Sequence, residues 1–153
     1  MIDYIRHRRK LAKLFKQRKS ICDVYAGEIR KARKEGKTRE GIESIEAEAH
    51  FERRMIDEDI SILVTDYLIM RANRRFVPVP SRDEDGMWEQ CDVVNNRYVL
   101  TNTGISKLRT SLRLEKKERN EMVLKILAAI TGIIGAATGL LAVWLNNPAA
   151  RQR

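Results

Sequence analysis

The chain has 153 residues, with 30 Lys+Arg against 21 Asp+Glu and a formal net charge of +9. That length allows one domain with an appendage and excludes two full domains. Two Cys and two His exclude a disulfide-stapled secreted scaffold, a Cys-based zinc site and a His-rich metal site.

From Asp3 to Lys34 there is no Pro, and Gly27 is the single Gly. Ile5, Leu11, Ala12, Leu14, Phe15, Ile21, Cys22, Tyr25, Ile29 and Ala32 recur in steps of three and four, which predicts a helix with one apolar face. Glu35-Gly36-Lys37-Thr38 reads as a turn, Gly36 suiting a helix C-cap and Thr38 the next N-cap. A second helix is predicted over Arg39 to Asn73. Its near-heptad stripe is Ile42, Ile45, Ala49, Phe51, Met55, Ile56, Ile60, Leu63, Tyr67 and Met70. Two long helices joined by a short turn make an antiparallel helical hairpin over residues 1–73.

Charge favours that pairing. Met1–Lys37 carries 13 Lys/Arg and 4 Asp/Glu, whereas Thr38–Asn73 carries 4 and 9. A basic helix beside an acidic one gains cross-helix pairs that fix orientation. The basic end is oversupplied, however. Arg6, Arg8, Arg9, Lys10, Lys13, Lys16, Arg18 and Lys19 face chiefly Asp57, Glu58, Asp59 and Asp66. The excess suits a solvated face, a contact with an anionic membrane surface at about 1 kcal/mol per Lys or Arg, or a nucleic-acid contact.

Residues 74–101 read as a small β element. Phe76-Val77-Pro78-Val79-Pro80 is expected to be extended, because two prolines at alternate positions forbid a helix. Gln90–Val94 and Arg97–Thr101 are expected to pair as strands about a two-residue turn at Asn95-Asn96. Trp88, Val93, Tyr98 and Leu100 are expected to pack on the helices, with Cys22 and Cys91 as reduced packing residues. Thr101 or Thr103 then caps a third helix. Carrying Ile105, Leu108, Leu112 and Leu114, it continues as a juxtamembrane stalk over 102–121 and into a transmembrane helix over 122–145, leaving a short tail at 146–153.

Ile126 to Leu145 is an uncharged run of 20 residues whose only hydroxyls are Thr131 and Thr138. At 1.5 Å per residue it spans about 30 Å, the hydrocarbon thickness of a bilayer. Its position excludes a cleavable signal peptide. Seven Lys/Arg lie between Thr101 and Lys125 and two follow the span, Arg151 and Arg153, so the positive-inside rule puts the N-terminal part in the cytoplasm. Lys125 and Trp144 sit where membrane-interface anchors belong. Gly135 and Gly139 form a GxxxG pair, and Ala128, Gly132 and Ala136 extend the small residues on a neighbouring stripe, which predicts self-association in lipid.

No phosphate loop, GxSxG, HExxH or CxxC motif occurs, so no catalytic residue, metal ligand or cofactor is predicted. Glu46 and His50 share a helix face and read as surface groups rather than ligands.

Two resemblances stand beside this reading. Arg97-Tyr98-Val99-Leu100-Thr101-Asn102-Thr103-Gly104 resembles the wing-to-helix passage of winged-helix regulators. Such a likeness implies DNA binding, but the helix before it would be the recognition helix, and there Asp57, Glu58, Asp59 and Asp66 would repel phosphate. The C-terminal half, with its Leu-Thr-x-x-Gly start, charged juxtamembrane helix and Gly-rich span, resembles small bacterial inner-membrane proteins, some encoded in prophage or defence islands. That likeness implies a membrane-acting effector or accessory protein and no known active site.

The expectation is therefore a mainly α, tail-anchored, single-pass protein of the cytoplasmic membrane that is not an enzyme. It would act as an oligomeric scaffold or partner-binding module, with membrane lipid, further copies of itself and a protein of unknown identity as partners. The alternatives are a membrane-perturbing effector of toxin or phage-defence type, and a membrane-tethered nucleic-acid binder.

Overall fold

The computed structural model describes residues 2–92 and 97–146. It is mainly helical. Helix α1 spans Ile2–Lys34 and α2 spans Arg39–Asn73, strands β1 (Trp88–Gln90) and β2 (Tyr98–Leu100) follow, and α3 runs Asn102–Asn146. Two compact units result, Met1–Thr110 and Ser111–Arg153. The hairpin, the strand pair and the first turns of α3 all belong to the first. The expected tail at 146–153 lies outside the described residues apart from Asn146.

Local chemistry sets the hairpin turn as expected. Gly36 adopts φ 69°, a left-handed conformation that glycine takes without a Cβ clash. Gly36 N–H donates to the Arg33 carbonyl and Lys37 N–H to the Ala32 carbonyl at 3.0 Å, a Schellman ending. Thr38 then caps α2, its hydroxyl accepting from Gly41 N–H at 3.3 Å. α1 and α2 pack along their length in antiparallel order.

The seam of that packing is more polar than the sequence predicts. On α1 it runs through Asp3, His7, Leu11, Leu14, Arg18, Ile21, Tyr25, Ile29 and Ala32, while Ile5, Ala12, Phe15 and Cys22 are exposed. His7 and Arg18 hold seam positions because each meets a partner on α2. The His7 ring stacks on Tyr67 at 3.9 Å, and Arg18 Nε lies 2.6 Å from Asp57 Oδ1. A count of apolar residues cannot register either pairing. Phe51 and Met55, expected on the α2 stripe, are likewise exposed.

The C-terminal half of α2 is covered on a second side. Thr65, Leu68 and Ala72 are buried there, as are Val99, Leu100 and Leu108. β2 packs against α2, and Leu100 N–H donates to the buried Thr65 hydroxyl at 3.0 Å. The strands pair antiparallel with Trp88 opposite Leu100, Glu89 opposite Val99 and Gln90 opposite Tyr98. The two-residue turn read from the sequence would instead have set Cys91 opposite Leu100. The register is shifted because Thr101 N–H donates to the Met87 carbonyl and Cys91 N–H to the Arg97 carbonyl, which anchors both ends of the pairing. Asn95, Asn96 and Val93 themselves lie outside the described residues. Val99 takes the buried place expected of Tyr98, which is half exposed, and Cys91 is buried as expected.

Thr101, not Thr103, caps α3. Its hydroxyl accepts from Gly104 N–H at 3.1 Å and donates to the Gly86 carbonyl at 2.7 Å. A Cβ at Gly104 would lie 2.4 Å from the Met87 carbonyl oxygen and 3.0 Å from Leu100 Cδ2. The Thr-x-x-Gly pattern thus has a local reason, a cap followed by a close helix–loop approach.

Two substitutions test this packing. Gly104→Ala should destabilise the fold by roughly 1–3 kcal/mol through overpacking, although Ala is the better helix former, and chemical denaturation would show the sign. Thr65→Val removes the acceptor and leaves Leu100 N–H buried without a partner, so it should cost about 1–3 kcal/mol in the same measurement.

Candidate functional site

Three surfaces carry functional candidates. The first is the apolar part of α3, one helix long and apolar enough to cross a membrane. Every residue from 122 to 144 is exposed, so the described residues do not cover it. A core helix would be mostly buried. Thr131 Oγ donates to the Leu127 carbonyl at 2.9 Å, and Thr138 Oγ reaches the Ile134 and Gly135 carbonyls at 2.9 Å. Both hydroxyls are satisfied within the helix, as hydrocarbon surroundings require. A Cβ placed at Gly132, Gly135 or Gly139 would meet nothing within 4 Å. No contact among the described residues calls for glycine at these positions. Ala128 and Ala136 are exposed on the same helix, as are Lys125 and Trp144, the expected interface anchors.

The second surface is the basic part of α1, and it does not form one patch. Arg18 is half-buried in the seam, with Nη2 donating to Asp57 Oδ2 at 3.3 Å beside the 2.6 Å Nε contact. It braces the hairpin through Asp57. Lys10 and Lys13 border a cavity of about 330 Å³ together with Asp59 and Asp66 of α2, so α2 carboxylates lie beside their charge. Arg6, Arg9 and Lys16 are exposed and fall with Lys13 on one stripe at helical spacing. Arg8 lies over the Tyr4 ring at 5.8 Å on the other flank, with Lys19 exposed further along.

The third surface, at the end of the hairpin opposite its turn, is one the sequence reading missed. Arg74 Nη1 donates to Asp3 Oδ2 at 2.7 Å and ties the last turn of α2 to the first turn of α1. That guanidinium holds the Asp3 carboxyl below its ordinary value. Arg71 lies over the Tyr67 ring at 5.6 Å. Arg71, Arg74, Arg75, Tyr4, Tyr67, Met70 and Asp3 line a cavity of about 360 Å³. Among these lining residues Asp3 is the one carboxylate, set against three arginines.

Phe76 sits at the rim of this end and departs from the extended backbone expected of it. Its φ is 56°, in the left-handed region, and the residue is 94% exposed. The hydrogen bonds explain the conformation. Phe76 N–H donates to the Asn73 carbonyl at 3.3 Å and Val77 N–H to the Ala72 carbonyl at 3.0 Å. This is the Schellman ending of α1 repeated, with Phe76 where α1 has Gly36. A non-glycine residue there costs about 1–2 kcal/mol. The signal in the sequence was the missing glycine after Asn73, next to a run of three arginines from Arg71 to Arg75.

No group of three or more His, Cys, Asp or Glu side chains that could hold a metal occurs among the described residues. Glu46 faces Arg33 across the hairpin at 3.7 Å, and His50 is exposed. Comparison with protein-family models, with curated proteins and with solved structures returns no match.

His7 gives this end a pH dependence. Burial holds its imidazole below the ordinary value of 6.5, and its Nδ1 is buried with no hydrogen-bond partner among the described residues. The folded state favours neutral His7, so the unfolded chain binds the extra proton. The His7 contribution is therefore fully present above pH 6.5 and is lost as the pH falls from 6.5 toward the depressed folded value. His7→Phe keeps a ring against Tyr67, and its unfolding midpoint should lose that slope when denaturation is followed across this pH range.

Proposed function

We propose that this chain is a membrane-anchored scaffold. α3 crosses the cytoplasmic membrane once, and Met1–Thr110 lies on the cytoplasmic side as a partner-binding unit. The observation that carries the reading is the complete exposure of residues 122–144 within the chain. Exposing so long a continuous apolar surface to water would be strongly unfavourable, and a bilayer removes that penalty. Excess Lys and Arg before the span supports the orientation.

Self-association through Ala128, Gly132, Gly135, Ala136 and Gly139 completes the proposal. Small residues let helix backbones approach closely, and these glycines face open space within the chain. The internally bonded hydroxyls of Thr131 and Thr138 favour a packing helix over a water-lined one, which ranks the scaffold above the membrane-perturbing effector. Nucleic-acid binding ranks third. The C-terminal half of α2, the recognition helix of the winged-helix resemblance, is packed on two sides, and two of its acidic residues, Asp57 and Asp66, already pair with Arg18 and Arg97.

Gly135→Leu and Gly139→Leu should each shift the full-length protein in neutral detergent from an oligomer toward the monomer. Analytical ultracentrifugation would show the change in mass. An unchanged oligomer would remove the glycine stripe from the proposal. Depolarisation of cells on expression, abolished by the same substitutions, would move the effector reading to first place.

A further inference from the structure

Phe76 is unfavourable to the folded chain in two ways at once. Its backbone is left-handed at φ 56°, where a glycine would close α2 as Gly36 closes α1. The residue is 94% exposed, so packing against the described residues does not offset the strain. Backbone strain at an exposed, chemically distinctive residue points to a role outside the fold.

The surroundings of the ring narrow that role. Arg71 and Arg75, close to it in the chain, are half-buried and line the cavity at this end, with Arg74 held by Asp3. The bond of Asp3 to Arg74 and the stack of His7 on Tyr67 place the first turns of α1 at this same end, and these turns carry the exposed Arg6, Arg8 and Arg9. The end therefore presents exposed apolar side chains, Phe76 together with Ile2, Tyr4 and Ile5 of α1, among arginines. Aromatic rings favour the boundary between headgroups and acyl chains. Guanidinium groups match phosphate in bidentate geometry.

We propose that this end of the hairpin docks on an anionic bilayer surface, with the Phe76 ring in the interfacial layer and Arg71 and Arg75 on lipid phosphates. The inference rests on the reading that α3 places the chain at a membrane, and it adds a second, lipid-selective contact made by the other unit. Charge complementarity selects the occupant. An aromatic knob alone would suit a protein pocket as well, whereas a knob among arginines suits a surface that is both apolar within and negative outside.

The test uses the full chain, with fluorine-labelled phenylalanine, in phosphatidylcholine bicelles with and without phosphatidylglycerol. There are 3 Phe, and Phe15 and Phe51 are exposed elsewhere on the hairpin as internal controls. Phe76→Gly assigns the Phe76 signal by removing it. A headgroup-level spin-labelled lipid should broaden the Phe76 signal in the anionic bicelles and leave Phe15 and Phe51 sharp. Arg71→Gln with Arg75→Gln should abolish that broadening, while Arg74 stays on Asp3 and preserves the fold. Phe76→Gly should also raise the melting temperature in detergent, since it relieves strain and removes no internal contact. Equal broadening in neutral and anionic bicelles, a Phe76 signal as sharp as the controls, or a lower melting temperature for Phe76→Gly would each overturn the proposal. If the chain fails to enter bicelles of either composition, the anchor reading fails instead, which is a separate outcome.

Discussion

An apolar helix long enough to cross a bilayer, uncovered by the other described residues, is the constraint on which the rest of this protein depends. Residues 122–144 have no partner surface within the described residues. Water would penalise them and lipid would not. Glycine, which weakens a helix in water, is tolerated where hydrocarbon forces every backbone group to bond internally. The two hydroxyls of the segment follow the same requirement by bonding to carbonyls one turn back. The +9 of the chain then acquires a meaning beyond solubility, because part of it flanks the span and part of it lies on the hairpin.

Within Met1–Thr110 the organising element is α2. α1 covers one side of it through a seam that mixes Leu11, Leu14 and Ile21 with His7 and Arg18. β2 packs on the other side, where Thr65, Leu68 and Ala72 are buried. This two-sided cover leaves α1 as the exposed partner, and α1 carries most of the basic residues. Arg18 shows how that charge divides. Its guanidinium serves the hairpin through Asp57, whereas Arg6, Arg9 and Lys16 remain on the outer face. The proposed membrane contact uses neither set alone. It gathers the α1 terminus and the α2 terminus at one end, where Asp3 and Arg74 join them.

The helices were legible in the sequence because their signals are local. Gly36, Thr38 and an absence of proline mark α1 and α2 almost to the residue, and the uncharged run marks α3. What escaped was non-local. The strand register depends on the Met87 and Arg97 carbonyls, and β2 is further held by the Thr65 hydroxyl, 35 positions from its donor. Ile5 and Phe15 looked like core because the partners of His7 and Arg18, on the far side of a turn, do not show in a periodicity count. Phe76 escaped for a different reason. A phenylalanine before Val-Pro-Val-Pro reads as extended chain, and only the hydrogen bonds to Asn73 and Ala72 show that it closes a helix instead.

Membrane integration of α3 is the claim from which the others follow, and extraction of isolated membranes at alkaline pH tests it most directly. A chain held by a spanning helix should remain in the membrane pellet after carbonate washing, together with Met1–Thr110. Release of the full-length protein into the supernatant would show that the apolar helix is covered by protein rather than lipid, and would contradict the account.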